Sequence, residues 1–338
     1  MTPSLPDRVL AGDPRAMARA ISLIEDEDAA SADLVRAIFP HTGRAYLIGV
    51  TGPPGAGKST LVDRLVGAIR SSPSTRSDRE GAAERSLSTA LSVGVIAVDP
   101  TSPFTGGAVL GDRLRMQQHA ADEGVFIRSM ATRGHLGGLA RATGDAALVL
   151  DAAGRDIVII ETVGVGQDEV DIIRTADISI VTLVPGTGDE VQALKAGIME
   201  IADIFVINKA DREGADRLMG AVEANLALQT FADGEWRPPV MKTVATTGAG
   251  IAELVDTIWR FRAHSERTQA VRRRTRSEYR LRELVSHRFM DHLEHQVLDA
   301  GELGKIVDRI AARDVDPYTA ANELLTRAGL RTGPYKNA

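Results

Sequence analysis

The chain has 338 residues and a formal net charge of −6, with 43% hydrophobic and 25% charged residues, which is typical of a soluble globular protein and argues against general affinity for nucleic acid. It contains no cysteine, which excludes disulfides, iron–sulfur clusters and cysteine-bound zinc or nickel. Because no apolar run approaches the roughly 18 residues of a membrane-spanning helix and no secretory signal pattern is present, we expect a cytoplasmic protein without a membrane partner.

The sequence of residues 1–44 predicts two short helices that pack on the following domain. Asp13 is expected to cap the first helix, because it precedes a proline at the first helical position. Ser31 is expected to cap the second helix, and Pro40 to end it. The apolar residues of the first helix recur at helical spacing and need a surface to cover; they are Met17, Ala20, Ile21 and Ile24.

Residues 45–262 alternate strands with helices, which predicts an α/β domain with a doubly wound, mostly parallel sheet. Residues 71–90 interrupt the pattern, since they are rich in Ser, Arg and Glu, and they predict a mobile surface insertion. The strands are short continuous apolar runs, as expected for strands covered on both faces. The predicted strands are AYLIGV, VGVIAV, IVII, ISIVTLV and IFVIN.

The sequence is predicted to be helical from Ile251 to about Val297, with no further strand. We expect residues 263–338 to form a C-terminal helical segment that mediates dimerisation, because an apolar stripe continues after the sheet is complete. Six arginines between residues 272 and 282 are interpreted as a solvated face or a salt-bridged subunit contact. The stripe consists of Leu281, Val285, Phe289, Leu293 and Val297.

A phosphate-binding loop follows the first strand, where the sequence reads GPPGAGKST and satisfies G-x-x-x-x-G-K-[ST]. Its glycines let backbone N–H groups surround phosphates, and Lys58 is expected to reach the β- and γ-phosphate oxygens. The Ser59 hydroxyl is a predicted Mg²⁺ ligand, and the following helix directs its positive end at the anion. The predicted nucleotide-binding residues are Gly52, Pro53, Pro54, Gly55, Ala56, Gly57, Lys58, Ser59 and Thr60.

A second motif, N-K-x-D at residues 208–211, follows the strand IFVI and indicates guanine. The Asp211 carboxylate can accept hydrogen bonds from guanine N1–H and the 2-amino group, whereas adenine offers neither donor there. Asn208 is expected to hold N7 and tie this loop to the phosphate loop, while the Lys209 stem covers the ring. The ligand is therefore predicted to be GTP or GDP.

A third stretch comprises Val244, Ala245 and Thr246 and is expected to complete guanine binding. It stands where GTP-binding proteins carry a Ser-Ala-x-x-Gly loop, with Val244 in place of the serine. Because the backbone amide of Ala245 is expected to read guanine O6, the missing hydroxyl changes little.

Three acidic residues at or near predicted strand ends are candidate magnesium-side carboxylates: Asp99, Asp112 and Glu161. Mg²⁺ on β- and γ-phosphates needs oxygen ligands or water-holding carboxylates beside the Ser59 hydroxyl. Each acid could alternatively be a helix cap or a surface charge.

Residues 161–167, ETVGVGQ, are expected to sense the γ-phosphate and contribute to catalysis together with Lys58. Glu161 and Gly164 occupy the ends of an Asp-x-x-Gly-like motif, and the Gly164 N–H can contact the γ-phosphate. Many GTPases place a water-orienting glutamine directly after this glycine, but here Val165 follows and Gln167 lies two residues further on. We therefore predict slow intrinsic hydrolysis.

Together these motifs resemble the MeaB/ArgK family of P-loop GTPases, whose third motif carries glutamate. The resemblance spans nearly the whole chain, and residues 71–90 and the extreme termini are exceptions. Five further stretches match family signatures in order; they are VIAVDPTSPFTGGAVLGDRLRM, FIRSMATRGHLGGLA, ETVGVGQDEVDI, NKAD and DPYTAANELL.

The resemblance implies a homodimeric GTPase that associates with adenosylcobalamin-dependent methylmalonyl-CoA mutase. It implies that the GTPase gates cofactor loading and protects the mutase from inactivation. The loops SPFTGG and ATRGHLGG would sense the nucleotide or the partner, and Arg133 and His135 in the second are catalytic candidates.

Three other functions remain open. One is a nickel-insertion chaperone of the same fold, for which the only histidine cluster is His287, His292 and His295. Another is a nucleotide-dependent kinase of a transport protein, although the guanine motif disfavours an ATP-dependent one. The third is a nucleotide switch without catalysis.

Overall fold

A computed structural model describes residues 3–71, 90–99, 117–119, 121–131, 138–162, 175–186 and 196–330. The predicted insertion at 71–90 lies almost entirely outside these ranges. The chain divides into two compact units, Met1–Arg276 and Ser277–Ala338. The boundary between 262 and 263 that the sequence suggests stays a prediction.

The first unit contains a seven-stranded sheet in which every strand pair is parallel. The strand order is β3-β2-β4-β1-β5-β6-β7, which confirms the predicted doubly wound α/β fold. The strands are β1 (Tyr46–Thr51), β2 (Val93–Asp99), β3 (Val125–Ala131), β4 (Ile157–Glu161), β5 (Ile178–Leu183), β6 (Ile204–Asn208) and β7 (Val240–Thr243).

The α-helices among the described residues cover both faces of the sheet in the first unit and continue through the second. They are α1 (Leu5–Leu10), α2 (Pro14–Glu25), α3 (Ala30–Ile38), α4 (Lys58–Ser71), α5 (Gly138–Ala152), α6 (Ala196–Ile201), α7 (Ala215–Leu226), α8 (Ile251–Ser265), α9 (Gln269–His292), α10 (Glu302–Ala311) and α11 (Pro317–Arg327).

All five predicted strands are confirmed. Strands β3 and β7, which form the two edges of the sheet, were not predicted. An edge strand has one neighbour and carries more polar residues than a central strand, so it gives no continuous apolar run. In β3, Arg128 pairs with Glu25 of α2 and donates to the Ser22 hydroxyl. Strand β7 is only four residues long and half-buried.

The core lies on both faces of the sheet because successive strand residues point in opposite directions. On one face, strand residues such as Ile48 pack with Leu61 and Leu65 of α4 and with Ile258 of α8. On the other, residues such as Ile160 pack with α2, α3 and α5. This double coverage explains why the central strands read as continuous apolar runs.

The N-terminal helices pack on the sheet unit through α5. Asp13 caps α2 as predicted, since its side chain accepts from the amides of residues 15 and 16. The prediction that Ser31 caps the next helix is wrong, because α3 begins at Ala30. The Asp28 carboxylate accepts from the Ala30 N–H at 2.8 Å. Helix α1 was not predicted either. The predicted apolar stripe of α2 is buried; it consists of Met17, Ala20, Ile21 and Ile24.

Two arginines of the predicted basic run attach the start of α9 to the sheet. Arg276 pairs with Asp177 at 2.5 Å, and Arg272 lies 3.3 Å from Asp203. Both carboxylates also accept sheet amides, from Leu47 and Ser179. Burial raises the pKa of Asp203, and the Arg272 charge opposes that rise. These two arginines are therefore intrachain partners of buried acids.

The described residues of the second unit form helices joined by turns, with no strand among them, as predicted. Leu293, Ile306 and Ala320 are buried, whereas Leu281 and Val285 are 62% and 59% exposed. Hydrogen bonds from the Arg327 guanidinium to the Glu302 carboxylate join α11 to α10 and lower the pKa of Glu302 to about 2.

Candidate nucleotide site

The phosphate-binding loop connects β1 to α4 at the carboxyl edge of the sheet. Gly52 and Gly57 have φ angles of 143° and 85°, which favour glycine. A Cβ at Gly52 would lie 1.9 Å from the Thr182 carbonyl oxygen, and one at Gly57 would lie 2.5 Å from Asn208 Nδ2. The motif glycines are thus required by backbone conformation and by close neighbours.

Lys58 begins α4 and is buried, with its ammonium turned onto the phosphate-binding loop. Its Nζ donates to the carbonyl oxygens of Gly52 at 2.7 Å and Pro53 at 3.2 Å. The loop therefore holds a positive charge at the N-terminus of a helix, and both favour an anion.

Ser59 and Glu161 meet beside this lysine. The Ser59 hydroxyl donates to Glu161 Oε1 at 2.6 Å, and both side chains are buried. Glu161 is placed there by the pairing of β4 with β1, in which it lies opposite Val50. A hydroxyl and a carboxylate supply the oxygen ligands that Mg²⁺ prefers, so these two residues fit the predicted ion.

The other predicted phosphate-side residues are only partly placed. Asp99 ends β2, two residues beyond Ala97, which pairs with Glu161 in the neighbouring strand. Its backbone is therefore at the same edge of the sheet. The remaining candidates lie outside the described residues; they are Asp112, Arg133, His135, Gly164 and Gln167.

The N-K-x-D loop follows β6 and contacts the phosphate-binding loop directly. Asn208 is buried, and its Nδ2 donates to the Ala56 carbonyl at 2.8 Å, which is the link expected from the sequence. Its Oδ1 accepts from the Thr243 hydroxyl and the Ala245 N–H, both at 3.1 Å. Lys209 Nζ donates to the Gly55 carbonyl at 2.7 Å. Asn208 therefore joins three separate chain segments.

Asp211 lies exposed on a turn that the backbone fixes on both sides. The Ala210 N–H donates to the Thr243 carbonyl, and the Arg212 N–H donates to the Lys209 carbonyl, each at 3.0 Å. Lys209 has a φ of 54°, so the turn passes through the left-handed region. The carboxylate is accessible to a ligand while its backbone is held.

The loop of Val244, Ala245 and Thr246 follows β7 and closes on itself. Val244 forms an isolated bridge with Ala249, and its carbonyl accepts from the amides of Thr247 and Gly248. Ala245 is buried and directs its N–H at Asn208. The two predicted guanine loops therefore share one hydrogen-bond network.

The sequence matches, over residues 17–297, the family described as methylmalonyl-CoA mutase-associated GTPase MeaB. The chain belongs to this family. Membership confirms the resemblance drawn from the motifs and places the chain among GTPases with a P-loop nucleotide site.

Named relatives agree with that membership. A Pyrococcus abyssi protein bearing a GTPase name is 51% identical, over 96% of each chain. The mouse methylmalonic aciduria type A homolog is 32% identical, over 83% of this chain and 65% of its own. A crystal structure of a LAO/AO transport system kinase superposes with a TM-score of 0.67 and 27% identity, over 96% of each chain.

The three histidines considered as a nickel site, His287, His292 and His295, lie on α9 or directly after it, and all three are exposed. His295 Nδ1 lies 3.1 Å from Asp291 Oδ1. Within the described ranges, no group of three or more His, Cys, Asp or Glu side chains is arranged to hold a metal ion. Nor does any described helix combine the length and apolar character needed to cross a bilayer.

Arg64 is a residue of this region that sequence motifs did not identify. It lies on α4, six residues after Lys58, and its guanidinium donates to the carbonyls of Ala245 and Thr246. No local signal marks it, because its partners are about 180 residues away.

Proposed function

We propose that this chain binds GTP with Mg²⁺ and hydrolyses it to GDP and phosphate. The observation that carries the proposal is the buried Asn208 side chain, which joins the phosphate loop at Ala56 to the Ala245 amide. It brings a guanine-type loop to the edge of a phosphate site. Membership in a GTPase family supports the same ligand.

In this proposal the described residues have separate roles. Lys58 and the loop amides bind and orient the β- and γ-phosphates, and Lys58 stabilises charge that develops on them. Ser59 and Glu161 would hold Mg²⁺, with Asp99 and Asp112 as further carboxylates. The ion supplies charge neutralisation on the phosphate oxygens when bound. Asp211 accepts hydrogen bonds from the guanine N1–H and 2-amino group, and Ala245 and Thr246 belong to the loop that would face O6.

Catalysis in the proposal also involves Gly164, whose N–H would sense the γ-phosphate, and Gln167, which follows Val165 by two residues in the sequence. Val165 stands where many GTPases have glutamine. A missing or misplaced group of this kind costs a factor of about 10² to 10⁵ in rate. Turnover by the isolated protein is therefore expected to be slow.

We further propose that the partner is adenosylcobalamin-dependent methylmalonyl-CoA mutase, whose cofactor loading the GTPase gates and which it protects from inactivation. The family description, which names that mutase, supports this. Addition of the mutase from the same source should accelerate GTP turnover, because a partner that orders catalytic loops recovers part of the missing rate factor. Phosphate release with and without mutase measures the effect.

Mutase affinity should also differ between the GTP-analogue and GDP states, since only differential contact transmits the identity of the nucleotide. Calorimetry in both states tests this, with the Lys58→Ala variant as the control for turnover. No association in either state, together with unchanged turnover, would remove the mutase and leave the GTPase proposal standing.

A homodimer is the proposed assembly, because Leu281 and Val285 leave an exposed apolar stripe on the second unit. Replacing both by glutamate should convert a micromolar dimer to a monomer, because burying the new charges in an interface is costly. Sedimentation velocity measures the change. Leu228→Glu is the matched control, since Leu228 is 85% exposed on the other unit. A monomeric unmodified protein would contradict the proposal.

A second candidate function is phosphoryl transfer to a protein, because a structurally similar protein is named as a transport system kinase. Incubation with γ-labelled GTP separates the two reactions. Label released only as inorganic phosphate supports hydrolysis, and label on a protein supports the kinase.

A further inference from the structure

The Arg64 side chain of helix α4 hydrogen-bonds to the loop at residues 244–246. Its Nε donates to the Ala245 carbonyl at 2.9 Å, and its Nη2 donates to the Thr246 carbonyl at 2.8 Å. The guanidinium therefore holds two consecutive carbonyls of one short loop. This geometry uses the planar fork of arginine and is not available to the single ammonium of lysine.

The two carbonyls belong to the loop that the proposed function places at guanine O6. The Val244 carbonyl accepts from the amides of Thr247 and Gly248, which close the turn. Because a carbonyl shares its peptide plane with the N–H of the next residue, holding the Ala245 carbonyl fixes where the Thr246 N–H points. The Ala245 N–H itself donates to Asn208 Oδ1. The Thr246 N–H is therefore the amide of this loop that Arg64 can position for O6.

Helix α4 also carries the phosphate-binding side chains. Lys58 and Ser59 form its first turn, and six residues further along the helix, at about 1.5 Å per residue, Arg64 lies about 9 Å away. The helix is rigid and packs against the sheet through Leu61 and Leu65. It can therefore set the distance between the phosphate end and the base end of the nucleotide.

We propose that Arg64 is a positioning residue for guanine recognition, which aligns the 244–246 loop so that the Thr246 N–H reads O6. The inference rests on the proposed function, because it assumes a guanine nucleotide in this site. It differs from a general stabilising role in one respect. A positioning role concerns the O6 edge, and the contacts of Asp211 with N1–H and the 2-amino group lie on a separate loop.

Two GTP analogues test the O6 contact and the 2-amino contact of guanine separately. In 6-thio-GTP the oxygen read by the loop becomes sulfur, a weak hydrogen-bond acceptor, whereas ITP lacks only the 2-amino group. Affinities of the full-length protein for GTP, 6-thio-GTP and ITP are measured for the unmodified chain, Arg64→Ala and Arg64→Lys. Arg217→Ala is the matched control, since Arg217 is an exposed arginine on α7.

Arg64→Ala should lower the GTP/6-thio-GTP affinity ratio by about 3- to 10-fold, the worth of one hydrogen bond, and leave the GTP/ITP ratio within about twofold. Arg64→Lys should do the same, because it keeps the charge and loses the fork. Arg217→Ala should change neither ratio. Thermal unfolding without nucleotide reports whether each variant is folded.

An unchanged GTP/6-thio-GTP ratio in both Arg64 variants would overturn the inference, as would an equal fall in both ratios, which would indicate a general loss of structure. A different result would contradict the proposed function, namely that the unmodified protein binds ATP as tightly as GTP.

Discussion

Replacing Lys58 by alanine is expected to abolish measurable GTP turnover while leaving the protein folded. Lys58 Nζ lies on the phosphate-binding loop, donating to the carbonyls of Gly52 and Pro53. Its removal takes the positive charge from the β- and γ-phosphate oxygens, where negative charge develops in the transition state. Loss of such a group costs about 10² to 10⁵ in rate, which would bring a slow enzyme below detection.

The fold should survive because the Lys58 ammonium bonds to loop carbonyls and its loss opens no apolar cavity in the core. Single-turnover phosphate release and thermal unfolding are measured together. Lys305→Ala is the control, because Lys305 is an exposed lysine on α10. Unchanged turnover in folded Lys58→Ala would show that the glycine-rich loop is structural and that catalysis lies elsewhere.

The central part of the fold was predictable from sequence because its signals are local. Each central strand is buried on both faces, so a strand such as β4 appears as a run of four consecutive apolar residues, Ile157 to Ile160. The cap at Asp13 was equally local, since a proline follows it directly. The edge strands β3 and β7 lacked this signal, because only one side of each is paired.

Features that depend on distant partners were not predictable. The sequence of the run of arginines near residue 272 indicates a solvated face or a salt-bridged subunit contact, yet Arg272 and Arg276 contact acids of the same chain almost 70 and 100 residues away in sequence. Arg64 likewise finds its carbonyls only because α4 and the 244–246 loop meet at one edge of the folded sheet. Periodicity identifies which residues are apolar, and it does not report which charges become neighbours.

The motifs of the candidate site were predictable in part. The sequence indicated that Asn208 would link two loops, because the residue types and their order were sufficient, and the structure shows its bond to Ala56. The contact of Ser59 with Glu161 depends on β1 pairing with β4, which the sequence alone did not specify. Motifs therefore predicted the chemistry, and the sheet order determines which groups meet.

Replacing Asp211 by asparagine is expected to weaken GTP binding by at least tenfold and to give the protein affinity for xanthosine triphosphate. The carboxylate can accept from both the guanine N1–H and the 2-amino group. The asparagine amide would instead place a donor against the amino group, leaving it without an acceptor. Hydrogen bonds to a charged group are each worth about 1.5–3 kcal/mol, so loss of one accounts for a tenfold effect.

Xanthine carries an oxygen in place of the 2-amino group, so the asparagine donor meets an acceptor and recognition is restored with the pattern reversed. The change should not disturb the turn, because Asp211 is exposed and the backbone bonds of Ala210 and Arg212 hold it. Asp216→Asn on α7 is the matched control, since the Asp216 side chain is 93% exposed and pairs with Lys242. Competition binding with GTP, xanthosine triphosphate and ATP is measured for the unmodified protein and for both variants. If Asp211→Asn kept its preference for GTP over xanthosine triphosphate, recognition of the base would have to come from groups other than the Asp211 carboxylate.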